Sequence, residues 1–516
     1  MSDAPRAADI VARRLHAAGC RHAFGVAGGA VAALIDALDQ AGIAFHRCTH
    51  ENAAGFMAEG VHQVDGAPAV LVTTAGPGAM AAVNVVAQAH KDRVPLIVLT
   101  GCVDGIEAQT HTHQVLEHSA VFAPITKAAF TLDAAAAGVI ADKAVAITTE
   151  GRAGPVHIDV PPAVAGAQGV AMAGRRAVPA PVIPANLSKA NRWISEADRP
   201  IMIVGLDVLK DGGADTVRAF ATANSIPVIT TCKAKGLLSE DHPLSLGVAG
   251  LSSQADNILL PLLDQADLIL CVGYDPVEMR TGWRDAWNPD ETRVIDIHGA
   301  PNHHYMHHAS LSFVADTGAT LAALGPLPVR PLWTDGQIAA ARDALAAAFD
   351  DGEAWGPAAV IALCRDVLPD DTIATVDGGA HRILISQMWR CRTPRTLLQS
   401  SGLGAMGCAL PLALGVKLAA PDRPVVAFSG AAGFLRVAGE LATAAAMGLP
   451  AAVVVFVDAS PAPAQDVAAI GRAFGGDGVI VHDRDGLRAA LDSALASDRV
   501  TVIGAAIDAR AHDDRN

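Results

Sequence analysis

A carboxylate stands at the start of an Ala-rich helical stretch, in the run Thr49-His50-Glu51-Asn52-Ala53-Ala54. Glu51 could serve there as a catalytic group that exchanges a proton. The same residues also fit a structural role, in which Thr49 caps the helix and Glu51 is stabilised by the positive end of the helix dipole. Acidic residues are common at helix starts, so the run taken alone favours the structural role.

Glycine-rich turns and a strand-terminal carboxylate offer a second kind of chemistry. Glycine lets backbone N–H groups approach a bound ligand closely. Each segment alone is a weak signal, because tight turns between strands and helices often need glycine. The segments are AGPGAM (75–80, with Gly76 and Gly78), SGLGAMG (401–407, with Gly404), SGAAGF (429–434, with Gly430), and Val457-Asp458.

A histidine-rich segment, NHHYMHH, covers residues 302–308. On a helix, His304 and His308 would lie on one face, because residues four apart are neighbours there. A metal site would need further ligands, and no carboxylate lies within the segment. Surface or interface histidines are the alternative.

The elements that position these candidate residues are predicted from short apolar runs that end in Gly or Asp. Such runs, separated by helical stretches, predict parallel α/β sheets. Ligands of such sheets bind beyond the carboxyl ends of the strands, which is where the candidates lie. The predicted strands include 68–76, 94–101, 199–205, 226–231, 266–273, 292–297, 372–379, 423–430, 451–458 and 499–508, with a helix over 79–92.

Two proline-rich stretches divide the 516 residues into three predicted domains. AVPAPVIPANL (177–187) and GPLPVRPL (325–332) each contain three prolines, which favour extended backbone. We therefore expect domains at 1–175, 188–324 and 333–516, each a doubly wound parallel sheet.

Composition excludes several classes of function. Thirty-eight basic against 53 acidic residues give a net charge of −15, which argues against binding to nucleic acid or an anionic membrane. The eight cysteines form no CxxC pair, which indicates free thiols in a reducing compartment. No signal peptide is visible, and the apolar stretch 441–457 is broken at Gly448-Leu449-Pro450. We expect a cytoplasmic protein without a membrane span.

Together these segments resemble the thiamine-diphosphate (ThDP) enzymes of the acetolactate synthase type, over nearly the whole chain. The resemblance implies pyrimidine-binding, central Rossmann-like and diphosphate-binding domains, in that order. The segment VGYDPVE is similar to the catabolic acetolactate synthases in particular, which argues mildly against FAD. The matching segments are FGVAGGAV (24–31), HENAAGFMAEG (50–60), AGPGAMAAVN (75–84), KDRVPLIVLTG (91–101), VGYDPVE (272–278), SGLGAMGCALPLALGVKLA (401–419) and ELATAAAMGLP (440–450).

The resemblance also implies roles for individual residues. Glu51 matches the glutamate that bonds the aminopyrimidine ring of the cofactor, and Gln114 matches a glutamine near the substrate. Met406 matches the residue that supports the bent cofactor, and Asp458 matches the second Mg²⁺ ligand. In this family each site lies between two subunits, so a homodimer or homotetramer is implied. The further cofactor-binding positions are Gly76, Gly78, Gly379, His381, Gly404 and Gly430.

Three departures fall on the diphosphate side. The family's Gly-Asp-Gly signature reads Gly430-Ala431-Ala432, so the first carboxylate ligand of Mg²⁺ is replaced by alanine. Ala380 stands where glutamine is usual, and the stretch after Asp458 is markedly shorter. Arg436 could lean toward the phosphates, although a solvated arginine is the simpler interpretation.

Two main hypotheses follow. In the first, the chain is an active ThDP enzyme that makes or breaks a C–C bond next to the carbonyl of a 2-oxo acid such as pyruvate. In the second, the same fold has lost ThDP–Mg²⁺ and catalyses a ThDP-independent lyase, hydrolase or transferase reaction. A non-catalytic paralogue is a third possibility.

Overall fold

The computed structural model describes residues 4–172, 180–210, 212–302, 304–325, 332–459 and 466–508. Parts of both predicted linkers (177–179 and 326–331) lie outside these ranges. His303 and residues 460–465 of the shortened stretch after Asp458 also lie outside them.

The first unit is a six-stranded parallel sheet with helices on both faces. Its strands are β1 (His22–Gly25), β2 (Ala44–Arg47), β3 (Ala69–Thr73), β4 (Leu96–Gly101), β5 (Ala128–Thr131) and β6 (Val156–Val160), in the order β2-β1-β3-β4-β6-β5. Its helices are α1 (Ala7–Ala17), α2 (Ala32–Gln40), α3 (Glu51–Asp65), α4 (Pro77–Ala81), α5 (Val83–Asp92), α6 (His118–Phe122), α7 (Ala137–Thr149) and α8 (Pro162–Gly166).

The second unit is also a six-stranded parallel sheet. Its strands are β7 (Pro200–Val204), β8 (Val228–Thr230), β9 (Ser245–Val248), β10 (Leu268–Val272), β11 (Arg293–His298) and β12 (Leu311–Val314), in the order β12-β11-β10-β7-β8-β9. Its helices are α9 (Ser188–Glu196), α10 (Asp207–Lys210), α11 (Ala214–Ala223), α12 (Ser253–Gln265) and α13 (Thr317–Leu324). Helix α14 (Gln337–Ala348) follows and packs its Ala341 into the same core, although it lies in the range predicted for the third domain. The domain boundaries stay predictions.

The third unit repeats the architecture. Its strands are β13 (Ile373–Val376), β14 (Leu397–Gln399), β15 (Val425–Gly430), β16 (Ala452–Asp458), β17 (Asp477–Val481) and β18 (Thr501–Ile507), in the order β14-β13-β15-β16-β18-β17. Its helices are α15 (Pro357–Val367), α16 (Ala380–Met388), α17 (Ala409–Ala419), α18 (Ala431–Val437), α19 (Glu440–Met447), α20 (Val467–Ala473) and α21 (Arg484–Ala496).

The strand orders confirm the predicted fold class of three doubly wound parallel sheets. When strands are numbered within each unit, the first and third units share the order 2-1-3-4-6-5. The second unit has the order 3-2-1-4-5-6, which is the arrangement of dinucleotide-binding folds. The first and third units are thus copies of one topology, which the sequence analysis did not predict.

Three local expectations are wrong. The predicted helix over 79–92 is two helices, α4 and α5, which meet at Ala82. Residues 304–308 form no helix, so the one-face argument for His304 and His308 fails. Thr49 does not cap α3, because the N-cap is His50, whose Nδ1 accepts a hydrogen bond from the Asn52 N–H at 3.1 Å. The break expected at Gly448-Leu449-Pro450 is confirmed, because it separates α19 from β16.

Helices α3 and α17 join the first and third units through one shared apolar core. Glycines let the two backbones touch: a side-chain carbon built on Gly60 would lie 2.3 Å from the Leu412 carbonyl oxygen, and one on Gly415 would lie 2.0 Å from that of Met57. Any larger residue at either glycine must push the helices apart, because packed interiors leave no spare volume.

Within the described ranges, no helix is long and apolar enough to cross a membrane. All eight cysteines are free, and seven of them are buried.

Candidate active site

Glu51 is the first residue of α3, and its side chain is buried to 9% exposure. Its carboxylate makes no hydrogen bond or ion pair with any described residue. It faces the turn before α4: a side-chain carbon built on Gly78 would lie 3.0 Å from Glu51 Oε1 and 2.6 Å from Thr74 Oγ1. A buried carboxylate costs free energy unless it is paired, so this geometry fits a site in which a bound ligand donates a hydrogen bond to Glu51.

Glu440, the first residue of α19, holds the chain just before Glu51 in place. Its Oε1 accepts hydrogen bonds from the Thr49 N–H at 3.1 Å, the Thr49 hydroxyl at 2.5 Å and the His50 N–H at 3.1 Å. The Thr443 hydroxyl donates to Oε2 at 2.6 Å. A carboxylate of the third unit therefore fixes where α3 begins, which explains why Thr49 is not the helix cap.

The turn after β3 brings Gly76 and Gln114 together. Gly76 has φ +62°, a backbone conformation that side chains disfavour. Gly76 lies against Gln114: a side-chain carbon built on Gly76 would lie 3.1 Å from the Gln114 Cβ. Gln114 is exposed and itself has φ +58°. Strained non-glycine residues of this kind cluster at functional sites.

A buried polar chain supports this turn from below. The Gly76 N–H donates to His118 Nε2 at 3.3 Å, and His118 Nδ1 lies 2.8 Å from Asp159 Oδ1. Since Nε2 accepts, Nδ1 carries the proton and donates it to the carboxylate. The Thr100 hydroxyl lies 2.7 Å from both Asp159 Oδ1 and His157 Nε2. Burial lowers the pKa of His157 to about 4.

In the third unit, Gly379, His381 and Gly430 lie together. A side-chain carbon built on Gly379 would lie 2.7 Å from His381 Cε1, and one on Gly430 would lie 3.6 Å from the same atom. Asp377, at the end of β13, organises this edge from inside. Its carboxylate accepts hydrogen bonds from the Cys408 N–H at 2.7 Å and the Ser429 hydroxyl at 2.9 Å.

The segment 401–407 packs against the same edge. A side-chain carbon built on Gly378 would lie 2.4 Å from the Gly404 carbonyl oxygen, so the two loops touch. Met406, at 41% exposure, projects outward from this segment. Asp92 of the first unit anchors its start, because the Ser401 and Gly402 N–H groups donate to the Asp92 carboxylate at 3.0 and 2.6 Å.

Strand pairing places Ala431 and Asp458 at the same edge of the third sheet. Gly430 pairs with Phe456 on neighbouring parallel strands, so Ala431 and Asp458 both lie at the carboxyl edge. Ala431 offers a methyl group there, and Arg436 is exposed. In the described part of the chain, no three His, Cys, Asp or Glu side chains are grouped to hold a metal. Mg²⁺ is usually held by one or two carboxylates and phosphate oxygens, so these residues do not fit a site with the usual carboxylate pair.

The histidine segment has a different environment from that of a metal site. His307 Nε2 lies 3.0 Å from the Tyr274 hydroxyl, and its ring stacks on Trp287 at 4.4 Å between centroids. Burial lowers the pKa of both His304 and His307 to about 4. His307 is thus packed against aromatic side chains, and the ring of His304 lies edge-on to it.

The predicted site residues form two groups. Neither Glu51 nor Gln114 makes a hydrogen bond or ion pair with a described residue of the third unit. The first group comprises Glu51, Gly76, Gly78 and Gln114, and the second comprises Gly379, His381, Gly404, Met406, Gly430 and Asp458.

Sequence reasoning missed the buried acids that support both groups. Asp159 and Asp377 lie at or just after strand ends, in HIDVPP and TVDGG, and that position could have marked them. Glu440 and Asp92 could not be found in this way, because their partners are hundreds of residues away in the chain.

Comparisons with known proteins agree with this architecture. Three family descriptions match: "Thiamine pyrophosphate enzyme, N-terminal TPP binding domain" at residues 5–121, the central domain at 187–324, and the C-terminal TPP binding domain at 377–462. An acetolactate synthase large subunit of Parasynechococcus marenigrum is 31% identical over 93% of this chain and 84% of its own length.

Two further relatives have similar coverage. The acetolactate synthase isozyme 1 large subunit of Escherichia coli is 32% identical over 85% of this chain and 79% of its own length. An acetolactate synthase of Bacillus subtilis is 30% identical over 88% of this chain and 82% of its own length.

Proposed function

Because the chain belongs to the thiamine-diphosphate enzymes of the acetolactate synthase type, we propose that it decarboxylates a 2-oxo acid such as pyruvate and joins the remaining fragment to a second carbonyl. The observation that carries this proposal is Glu51, a buried carboxylate with no described partner that faces the Gly78 turn.

The cofactor, when bound, supplies a carbon nucleophile and an electron sink for the carbon that loses CO₂. Glu51 then holds the proton exchanged with the aminopyrimidine ring at a carboxylate oxygen. A side chain at Gly78 would crowd that oxygen, because its Cβ would lie 3.0 Å from Oε1. The chain from Asp159 through His118 to the Gly76 N–H keeps the turn rigid.

The other residues orient the reactants. Gln114, exposed next to Gly76, would bind the substrate through its amide. Met406 projects from its loop and supports the cofactor from the diphosphate side. Gly379, His381, Gly404 and Gly430 would hold the diphosphate; three of them, Gly379, His381 and Gly430, lie together.

We propose that each site forms between two subunits of a homodimer or homotetramer. The two groups of site residues lie in the first and third units, and Glu51 and Gln114 make no hydrogen bond to the third unit of their own chain. In this assembly the Glu51 group of one subunit faces the Gly430 group of the next. Mass measurement of the full chain in solution tests this arrangement, and a monomer that turns over pyruvate would exclude it.

The methyl group of Ala431 supports a second candidate function. Without the first metal-binding carboxylate, the diphosphate edge has only Asp458 of the usual pair. A protein that no longer binds ThDP–Mg²⁺ would use the same fold for a ThDP-independent lyase, hydrolase or transferase reaction, or for no catalysis.

Titration of the metal-stripped full chain with ThDP, with and without Mg²⁺, tests the proposal when combined with a pyruvate turnover assay. We expect saturable ThDP binding and release of CO₂. The Glu51→Gln protein should lose turnover, whereas Glu196→Gln, at an exposed glutamate of the second unit, should not. No binding at millimolar ThDP together with no turnover would reject the first function in favour of the second.

A further inference from the structure

A cavity of about 340 Å³ lies where the three units meet. Its walls come from the far half of α3, the end of α5, the segment around α10, Lys233, and strand β14 with Arg395. Glu59 and Gln63 on its wall lie about 12 and 18 Å along the α3 axis from Glu51, at 1.5 Å per residue. The cavity is therefore separate from the candidate active site.

Two of the cations in the wall are already neutralised. Arg93 pairs with Asp207 at 2.6 Å and also with Asp275. Lys233 pairs with Asp92 at 2.7 Å. These pairs tie the first unit to the second and close one side of the cavity.

Arg395 has no such partner. Its guanidinium donates one hydrogen bond, to the Gln63 carbonyl oxygen at 3.3 Å, and makes no ion pair with a described residue. Burial removes water from this guanidinium and lowers its pKa. Guanidinium groups in such settings usually bind a carboxylate or phosphate, often through two N–H groups.

The rest of the wall adds positive charge and apolar surface. Lys210 also makes no ion pair with a described residue. Burial raises the pKa of Glu59 to about 7, so this carboxyl carries less negative charge at neutral pH than an exposed one. Apolar side chains cover much of the remainder, namely Pro95, Leu206, Leu209, Leu397 and Leu398.

We propose that this three-unit cavity binds a small aliphatic carboxylic acid, with its carboxylate on the Arg395 guanidinium and its apolar body against Leu209 and Leu397. The volume lies within the range of small-molecule sites, about 300–1,000 Å³. A few polar groups on an otherwise apolar wall are the usual composition of such sites. The proposal goes beyond the proposed function, because the site is independent of ThDP.

Asp92 connects the cavity wall to the segment 401–407. Asp92 lines the cavity and accepts hydrogen bonds from Ser401 and Gly402, at the start of the segment that carries Met406. The cavity wall and this segment therefore share one carboxylate.

Calorimetric titration of the ThDP-free full chain with isovalerate tests the site, with isovaleramide as the uncharged probe of the same shape. We expect saturable binding of isovalerate and at least about tenfold weaker binding of isovaleramide. Arg395→Met should weaken isovalerate binding by about tenfold or more. Arg392→Met is the matched control, because Arg392 lies three residues away, pairs with Asp241 and does not line the cavity.

A second variant guards against loss of folding in Arg395→Met. Leu209→Trp should fill the cavity and abolish binding while the protein keeps its thermal midpoint. No saturable binding of isovalerate up to 10 mM, about the weakest affinity that a site of this kind would have, would overturn the proposal. Equal loss of affinity in the Arg392 and Arg395 variants would also overturn it. Because ThDP is left out, neither result depends on the proposed catalytic activity.

Discussion

The first and third units are built on one topology but carry different chemistry at equivalent places. After its second strand the first unit places Glu51, whereas the third unit places the loop that carries Met406. After the third strand the first unit has the Gly76 turn, and the third unit has Gly430 and Ala431. The sheets position the strand ends, and the residues at those ends determine what each unit can bind.

The two units differ in how complete their polar networks are. In the first, the Gly76 turn is supported through His118 to the Asp159 carboxylate. In the third, the interior acid Asp377 is fully hydrogen-bonded, but Ala431 stands at the edge where a metal ligand is expected. The comparison predicts that the first unit is ready for the cofactor ring, while the third limits the affinity for its diphosphate.

The largest effect should come from the first unit. Glu51→Gln keeps the shape of the side chain but removes its ability to hold a proton, so pyruvate turnover should fall about 10²–10⁴-fold. Steady-state kinetics at saturating ThDP measures the loss, and an unchanged thermal midpoint shows that folding is intact. Undiminished turnover would mean that Glu51 does not hold the exchanged proton.

The contact between the two units gives the next largest effect. Glu440→Ala leaves the Thr49 and His50 N–H groups without their acceptor, so the free energy of unfolding should fall by about 3 kcal/mol. Urea denaturation of the full chain measures this change. Glu107→Ala, at an exposed glutamate in a turn, is the control and should change stability by less than about 0.5 kcal/mol. Equal effects of the two variants would show that Glu440 does not hold the start of α3.

Restoring the carboxylate of the third unit should make the two units more alike. Ala431→Asp places a carboxylate at the same edge as Asp458, and ThDP affinity in the presence of Mg²⁺ should rise about tenfold. Titration with and without Mg²⁺ separates the metal effect from a general change in charge. Ala432→Asp, one residue further on, is the control. A gain that does not need Mg²⁺ would contradict the explanation.

The smallest effect concerns stability at low pH and comes from His157, a buried histidine of the first unit. The folded-state pKa of His157, about 4, lies below its ordinary value near 6.5. Between these values the unfolded chain binds more protons, so the stabilisation present above pH 6.5 is lost as the pH falls towards 4. When the pH is lowered from 7 to 5.5, the free energy of unfolding should therefore fall by about 1 kcal/mol less in His157→Gln than in the parent protein.

Denaturation at the two pH values, with His482→Gln as the exposed control, measures this difference. Equal acid sensitivity of the parent and the His157 variant would show that this histidine does not contribute. A loss of acid sensitivity in the His482 variant would place the effect in the third unit instead.

Much of the fold could be predicted because buried parallel strands appear as continuous apolar runs. The sequences of β3, β4, β15 and β16 are runs of this kind. By contrast, β2 (AFHR) is a short, partly exposed edge strand, and its sequence has no such run. The sequence analysis therefore identified central strands but not the shared strand order of the first and third units, which depends on the edges.

The candidate site was predictable where function depends on local sequence. Glu51 at a helix start and glycines at strand ends are visible in a short window. The Thr49–Glu440 hydrogen bond joins residues 391 positions apart, and no local pattern reveals it. The capping of α3 by His50 was missed for the same reason, because Glu440 takes the hydroxyl that would otherwise have capped the helix.

The glycine-mediated packing of α3 on α17 has a consequence for how the protein is made. Synthesis runs at about 5–20 residues per second, so roughly 20–80 s pass between the emergence of Thr49 and that of its partner Glu440, 391 residues later. Throughout that interval the apolar face of α3, with Met57 and Gly60, has no third unit to cover it. The nascent first unit thus presents an aggregation-prone apolar face until the third unit has been synthesised.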